Sequence, residues 1–273
     1  MKLQKILLLL LALTLCLPTT VRTGQVQTVA DRTYQQMTPA EHSALVTEQS
    51  KRIALELSGR EYEFTADFIA DIQQAVNQYA RRIGNNGGDQ PGKGDVRFVV
   101  ERGQAQASTL VAAFKRRNLS PLMGIYIPWV ESEYVNIQSP NSAGAIGMFQ
   151  FLPKTGERYG LSAQDLLDVE KSADAAAHYV SDNLDTFKND PMKEALALLA
   201  YNRGAQKTVR DLQLLLNDQN RQCSICALTA DRSKLDETFR YENVFYVPRF
   251  FAAAIIGENP QSFGLQQQPL SSY

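Results

Sequence analysis

The chain is poor in the residues from which metal sites, redox centres and disulfide scaffolds are built. Its 273 residues include three cysteines, two histidines and one tryptophan. His42 and His178 have no second histidine or cysteine near them in sequence, so the ligand spacing that tetrahedral zinc needs is missing and neither a metal nor a cofactor is expected. Charge of one sign is lacking too. Twenty-eight basic residues stand against 29 acidic ones, for a net charge of −1, without the basic excess that carries nucleic-acid binding. Strand-like alternation is scarce and no internal repeat is evident. What remains is an ordinary globular composition, 44% hydrophobic and 21% charged, with room for one large domain or two small ones.

The N-terminus differs from the rest. Lys2 and Lys5 give a short positive start, and Ile6 to Leu17 form an almost unbroken aliphatic run that Pro18, Thr19 and Thr20 end. That run is shorter than the roughly 20 residues that span a bilayer, so residues 1–23 are expected to be a cleaved secretory signal peptide and the mature protein to be exported, with a retained signal anchor as the alternative. Cys16 follows Thr14 and Leu15 rather than small residues, so lipidation is not expected. Cleavage would remove three basic residues, Lys2, Lys5 and Arg22, and leave the remainder more acidic. It would also leave two cysteines, Cys223 and Cys226, spaced CxxC in "RQCSICAL". In an exported chain this spacing reads as a local disulfide; a redox motif would need a thioredoxin-like strand and helix around it.

Helical periodicity organises most of the sequence. Residues 39–57 and 62–83 carry apolar positions at helical spacing, and "GNNGGDQPGKGD", residues 84–95, reads as a loop or hinge; no strand precedes its glycines, so it is not a phosphate loop. A further helix is expected around residues 98–114. Ser120 and Pro121 look like a hydroxyl cap and a first-turn proline opening the next one. Others are expected over 162–188, 191–201 and 205–217, with a last apolar helix in "YVPRFFAAAIIGENP". The Gln- and Ser-rich tail, residues 261–273, is expected to be loosely ordered.

One acid stands out. Glu131 ends the apolar run Ile125, Tyr126, Ile127, Pro128, Trp129, Val130, where desolvation would keep its carboxyl protonated at a pH at which an exposed one is ionised. A general acid needs that property. A glutamate at a helix end that simply reaches water is the alternative. "NSAGAIGMFQF" follows, with small residues that let backbone approach a ligand and a single Gln150 to hydrogen-bond it. "LALLAYNRGAQ" then brings Tyr201, Asn202 and Gly204 to a helix end, and "FYVPRF" supplies Tyr246.

Taken in order, Glu131 with Ser132, then Gly144, Gly147 and Gln150, then Ala200, Tyr201, Asn202 and Gly204, then Tyr246 with Val247 resemble the motifs of the lytic transglycosylase catalytic domain, the soluble-lytic-transglycosylase relative of goose-type lysozyme. "FLPKTGERYGL", residues 151–161, most resembles the membrane-bound murein transglycosylase D branch. The resemblance covers roughly residues 96–260. It implies an all-α, lysozyme-like catalytic domain over 96–260, preceded by an N-terminal helical region and Gly-rich loop over 24–95. It also implies peptidoglycan glycan strands as the partner, and leaves open a loose association with the wall or outer membrane. Glu131 would be the sole catalytic acid and base, with Ser132 orienting its carboxyl group or the sugar's N-acetyl group. Phe149, Gln150, Tyr201, Asn202 and Tyr246 would line the glycan cleft, Tyr246 near Glu131. The implied reaction cleaves the bond between N-acetylmuramic acid and N-acetylglucosamine and closes a 1,6-anhydro ring without water.

A second carboxylate is not apparent. Retaining glycosidases place one about 5 Å away and inverting ones roughly 6.5–9.5 Å away. Glu133 lies two positions on, off the face that Glu131 shares, and Glu157, Asp165 and Asp168 sit in no motif that recruits them. Two departures from the family pattern stand out: Phe149 replaces a more usual Met or Trp, and "FRYENVF" lengthens the spacer before Tyr246, making Tyr241 a second candidate for the motif tyrosine. A lysozyme-like or chitin-directed hydrolase and a non-catalytic wall-binding scaffold are the alternatives.

Overall fold

A computed structural model describes residues 32–216 and 222–273; the expected signal peptide and Cys16 lie outside them. The described residues are all-α, in line with the expected class. Their only β-type pairing is an isolated bridge between Ile146 and Phe151, and eleven α-helices carry the fold.

The first helices begin where side chains satisfy their free amides. Thr38 caps α1 (Pro39–Ser58), accepting from the Glu41 amide, and Thr65 caps α2 (Ala66–Ala80) through the Phe68 amide. α3 (Val96–Lys115) follows the Gly-rich loop, with Asp95 as its cap. Pro121 starts α4 (Pro121–Ser132), but Ser120 makes no capping bond; its hydroxyl donates instead to the Glu56 carbonyl, tying α4 to α1. A short α5 (Pro153–Glu157) leads to α6 (Val169–Thr186). That helix starts later than its periodicity suggests because Asp168 caps it, while Ser162 and Asp165 close a turn ahead of it. There follow α7 (Lys193–Arg203), α8 (Ala205–Leu216), α9 (Ser224–Ala230), α10 (Glu237–Tyr241) and α11 (Tyr246–Glu258).

α4 and α11 form the centre. Leu122 to Trp129 of α4 and all of α11 except Arg249 are buried, and α11 packs on α1, α2, α4 and α7 while α3 packs on α4 and α6. Gly124 permits the close approach of α4 to α3, since a Cβ there would sit 2.8 Å from the Leu110 carbonyl and 2.6 Å from the Phe114 ring. Residues 32–95 pack into the same core as the residues that follow. Ile53, Phe68, Ile72 and Val76 are wholly buried in the common core, and Arg32–Tyr273 is one compact unit with no division at residue 95.

The tail corrects an expectation. Phe263, Leu265 and Leu270 are buried, and Ser271 donates its amide and hydroxyl to the buried Glu258, which also accepts from Tyr126. Three apolar residues at irregular spacing within a Gln-rich composition anchor it. Cys223 and Cys226 are joined in a disulfide at the start of α9. No helix among the described residues is long and apolar enough to cross a membrane.

Candidate active site

Glu131 lies in the last turn of α4, where Pro128 supplies no amide to the ladder. The helix stops abruptly after it. Glu133 and Tyr134, neither a glycine, take left-handed conformations with φ of 51° and 62°, which ordinary residues adopt at a cost of about 1–3 kcal/mol each. The neighbouring structure holds them there. Arg82 donates to both Glu133 carboxylate oxygens at 2.6 and 2.9 Å, the Gly92 amide donates to one of them at 2.9 Å, and Arg102 donates to the Glu133 carbonyl at 2.8 Å. The Gly-rich loop of residues 84–95 thus grips the chain two residues beyond Glu131.

The Glu131 carboxyl is surrounded by protein, although the residue keeps partial access to solvent. The Tyr246 hydroxyl donates to its Oε1 at 2.7 Å. Burial raises the carboxyl pKa from 4.5 to about 7, opposed by that hydrogen bond, which favours the anion; no charged side chain contributes. Tyr246 and Tyr201 are pushed well above the ordinary tyrosine range, first by burial and then by Glu131. Both therefore stay protonated as donors.

The turn after α4 is built from its own side chains. Asn141 accepts from the amides of Ala143 and Ala145 and donates to the Gln150 side chain, while Gln150 donates to the Gly147 carbonyl at 2.8 Å. Gly147 is required twice over: its φ is +79°, and a Cβ would fall 2.3 Å from the Leu166 carbonyl. The backbone that approaches it closely is the protein's own, not a ligand's.

Of the predicted site residues, the structure brings Glu131, Tyr201 and Tyr246 together. Tyr246, and not the exposed Tyr241, is the tyrosine at the acid. Tyr201 donates to the Phe149 carbonyl at 3.1 Å, joining α7 to the turn. Asn202 is exposed and accepts from Asn243 at 2.7 Å. Two residues are placed otherwise than expected. Ser132 is buried and donates to the Met148 carbonyl at 2.7 Å, so it fastens the turn to α4 and makes no bond to the Glu131 carboxyl. Phe149 is 1% exposed and stacked near Phe151, out of reach of a sugar face.

Sequence reasoning did not single out Asn141, Tyr179, Arg203 or Asn243. Tyr179 of α6 packs against Tyr201 with ring centroids 5.2 Å apart; its place on the apolar side of a long helix was the only signal. No group of three histidine, cysteine or acidic residues among the described residues could hold a metal ion.

Residues 109–221 match the family model described as the transglycosylase SLT domain. This segment is similar to transglycosylase SLT domains. It contains Glu131, Gln150, Tyr201 and Asn202, whereas Tyr246 and Asn243 lie beyond the matched residues. Among solved structures, the chain is similar to an inactive mutant of the lytic transglycosylase Slt from Pseudomonas aeruginosa, at 20% identity and a TM-score of 0.48, covering 86% of this chain. The chain spans 38% of the length of that structure. No curated protein sequence gives a significant match.

Proposed function

We propose that the protein is a peptidoglycan lytic transglycosylase in which Glu131 alone serves as general acid and then general base. One observation carries the reading: within a segment similar to SLT domains, Glu131 is held near pKa 7 by burial, with Tyr246 bonded to one oxygen and no second charged group contributing. A carboxyl with that value is substantially protonated near neutrality, as donation to a glycosidic oxygen requires.

The proposed step breaks the bond between C1 of N-acetylmuramic acid and the oxygen of the next sugar. Glu131 gives its proton to the departing oxygen, and the Tyr246 hydrogen bond, which favours the anion, stabilises the carboxylate as it forms. The carboxylate then takes the proton of the muramoyl 6-hydroxyl, whose oxygen closes on C1. The acid is regenerated and no water is consumed. The two-carboxylate route of most glycosidases needs a partner acid beside Glu131. Glu133, the nearest in sequence, has both carboxylate oxygens engaged by Arg82 and one also by the Gly92 amide. The proposed setting is the periplasm, on the strength of the N-terminal leader, with wall or outer-membrane association as part of that proposal.

The test is digestion of peptidoglycan sacculi by the purified protein and by Glu131→Gln, with released muropeptides identified by mass spectrometry. Products lighter by one water than their hydrolysed counterparts, and absent with Glu131→Gln, are expected. Hydrated products would overturn the reading in favour of a lysozyme-like hydrolase, and glycan binding without turnover would favour a scaffold.

A further inference from the structure

Arg203, the residue after Tyr201 and Asn202, is buried and bonded to three polar side chains. It pairs with Asp211, with Nη2 at 3.0 Å from Oδ1, and with Asp236, with Nη2 at 2.8 Å from Oδ2; its Nη1 donates to Asn243 Oδ1 at 2.9 Å. Asn243 in turn donates from Nδ2 to Asn202 Oδ1 at 2.7 Å.

The polarity of this chain follows from its first member. A guanidinium has five donors and no acceptor, so the Asn243 atom facing Arg203 is the oxygen, and the Asn243 nitrogen points to Asn202. That nitrogen can only donate. The Asn202 atom meeting it is therefore oxygen, which leaves the exposed amide nitrogen of Asn202 with two hydrogens to offer outward. Arg203 cannot relax out of this role. Asp211 and Asp236 hold its charge in place, and Arg203 with the helix-capping amide of Phe239 pulls Asp236 down to about 2. The chain flanks the residues that reach the acid: Asn202 follows Tyr201, and Asn243 lies three residues before Tyr246, the donor to Glu131.

We propose that Asn243, oriented by Arg203, is a positioning residue that fixes Asn202 as a hydrogen-bond donor to an acceptor oxygen of the bound glycan. The ligand chemistry is an amide carbonyl or hydroxyl oxygen of an N-acetylated sugar, and this part rests on the glycan-cleaving reading of the site.

Asn243→Asp inverts the polarity. An aspartate still accepts from Arg203 but can no longer donate, so Asn202 must turn its nitrogen inward and present oxygen to the sugar. The first measurement uses the unsubstituted protein and needs no activity. Side-chain amide hydrogen exchange by NMR is expected to show the Asn243 NH2 protected and the Asn202 NH2 fast; in Asn243→Asp the Asn202 NH2 becomes protected. A protected Asn202 NH2 in the unsubstituted protein overturns the proposal. The second measures binding of an N-acetylglucosamine hexamer in a Glu131→Gln background. Asn202→Ala and Asn243→Asp should each weaken it about tenfold, and the double variant no further. Steady-state digestion of sacculi should show KM raised with kcat retained. Additive losses in the double variant, or unchanged binding in Asn243→Asp, refute the relay. Absence of turnover by the unsubstituted protein would count against the proposed function alone, since amide exchange decides the orientation independently.

Discussion

Replacing Glu131 by glutamine should make the protein more stable, and by an amount that depends on pH. The Glu131 carboxyl titrates near 7 when folded, against 4.5 for an unperturbed glutamate. Between those values the folded state keeps a proton that the unfolded chain has released. The stability associated with this group is therefore fully present below the unfolded value and is lost as pH rises through the folded one. A gap of about 2.5 units corresponds to about 3 kcal/mol, fully expressed above roughly pH 8. Solvent reaching the partly accessible side chain reduces this, so about 2–3 kcal/mol is expected. Glutamine cannot ionise, and its oxygen can still accept from Tyr246. At about 2–4 °C per kcal/mol for a chain of this size, Glu131→Gln should melt roughly 4–12 °C above the unsubstituted protein near pH 8, with the difference shrinking toward zero near pH 4. Thermal unfolding followed by circular dichroism across that range is the assay. An offset that does not vary with pH, or a less stable glutamine variant near pH 8, would refute the assignment of a desolvated, proton-binding carboxyl.

Three further outcomes follow from the same geometry. Activity should fall as pH rises through about 7, where Glu131 ionises, and in Tyr246→Phe that limb of the kcat/KM profile should move to higher pH, because the lost hydrogen bond had favoured the anion. Arg82→Ala leaves Glu133 buried without its cation and should cost about 3 kcal/mol in urea unfolding. Phe149→Ala should behave as a core truncation, losing about 3–5 kcal/mol of stability, whereas Tyr241→Ala, at a side chain 68% exposed, should change stability by under about 0.5 kcal/mol and leave activity intact.

The longer helices were legible because they depend on local pattern: apolar spacing, a capping threonine or aspartate, a first-turn proline; the short α5, α9 and α10 carry too few apolar positions for a period to show. Glu131 was legible for a related reason, since its apolar neighbours are consecutive in sequence and enclose it whatever else the fold does. Ser132 and Phe149 were harder. Motif position marks a residue as tied to the site without saying whether its side chain faces the ligand or the protein, and here a buried carbonyl of Met148 claims the serine hydroxyl. Asn243 and Arg203 could not be read at all, because their meaning lies in a hydrogen-bond chain between α7 and the segment before α11, about 40 residues apart. The tail's order lies in three isolated apolar residues, Phe263, Leu265 and Leu270, whose irregular spacing within a Gln-rich stretch forms no periodic pattern.

Residues 24–95, whose purpose the sequence left blank, bear on the acid through Glu133. A pKa raised by desolvation depends on water staying away from one carboxyl, and this holds only if the surrounding wall does not breathe. α4 would fray at its last turn if left alone, since Pro128 removes an amide and two residues beyond it occupy left-handed backbone. Three separate segments restrain it. Ser132 ties the helix end to the turn at Met148, Tyr246 of α11 holds the carboxyl itself, and Arg82 with the Gly92 amide fixes Glu133. The first two lie within residues 96–260; the third comes from outside them. Without Arg82 and the Gly-rich loop, the strained turn would have lost its main charged anchor, and the relaxation would begin two residues from Glu131. The N-terminal helices therefore belong to the same structural unit as Glu131, as the support behind its burial.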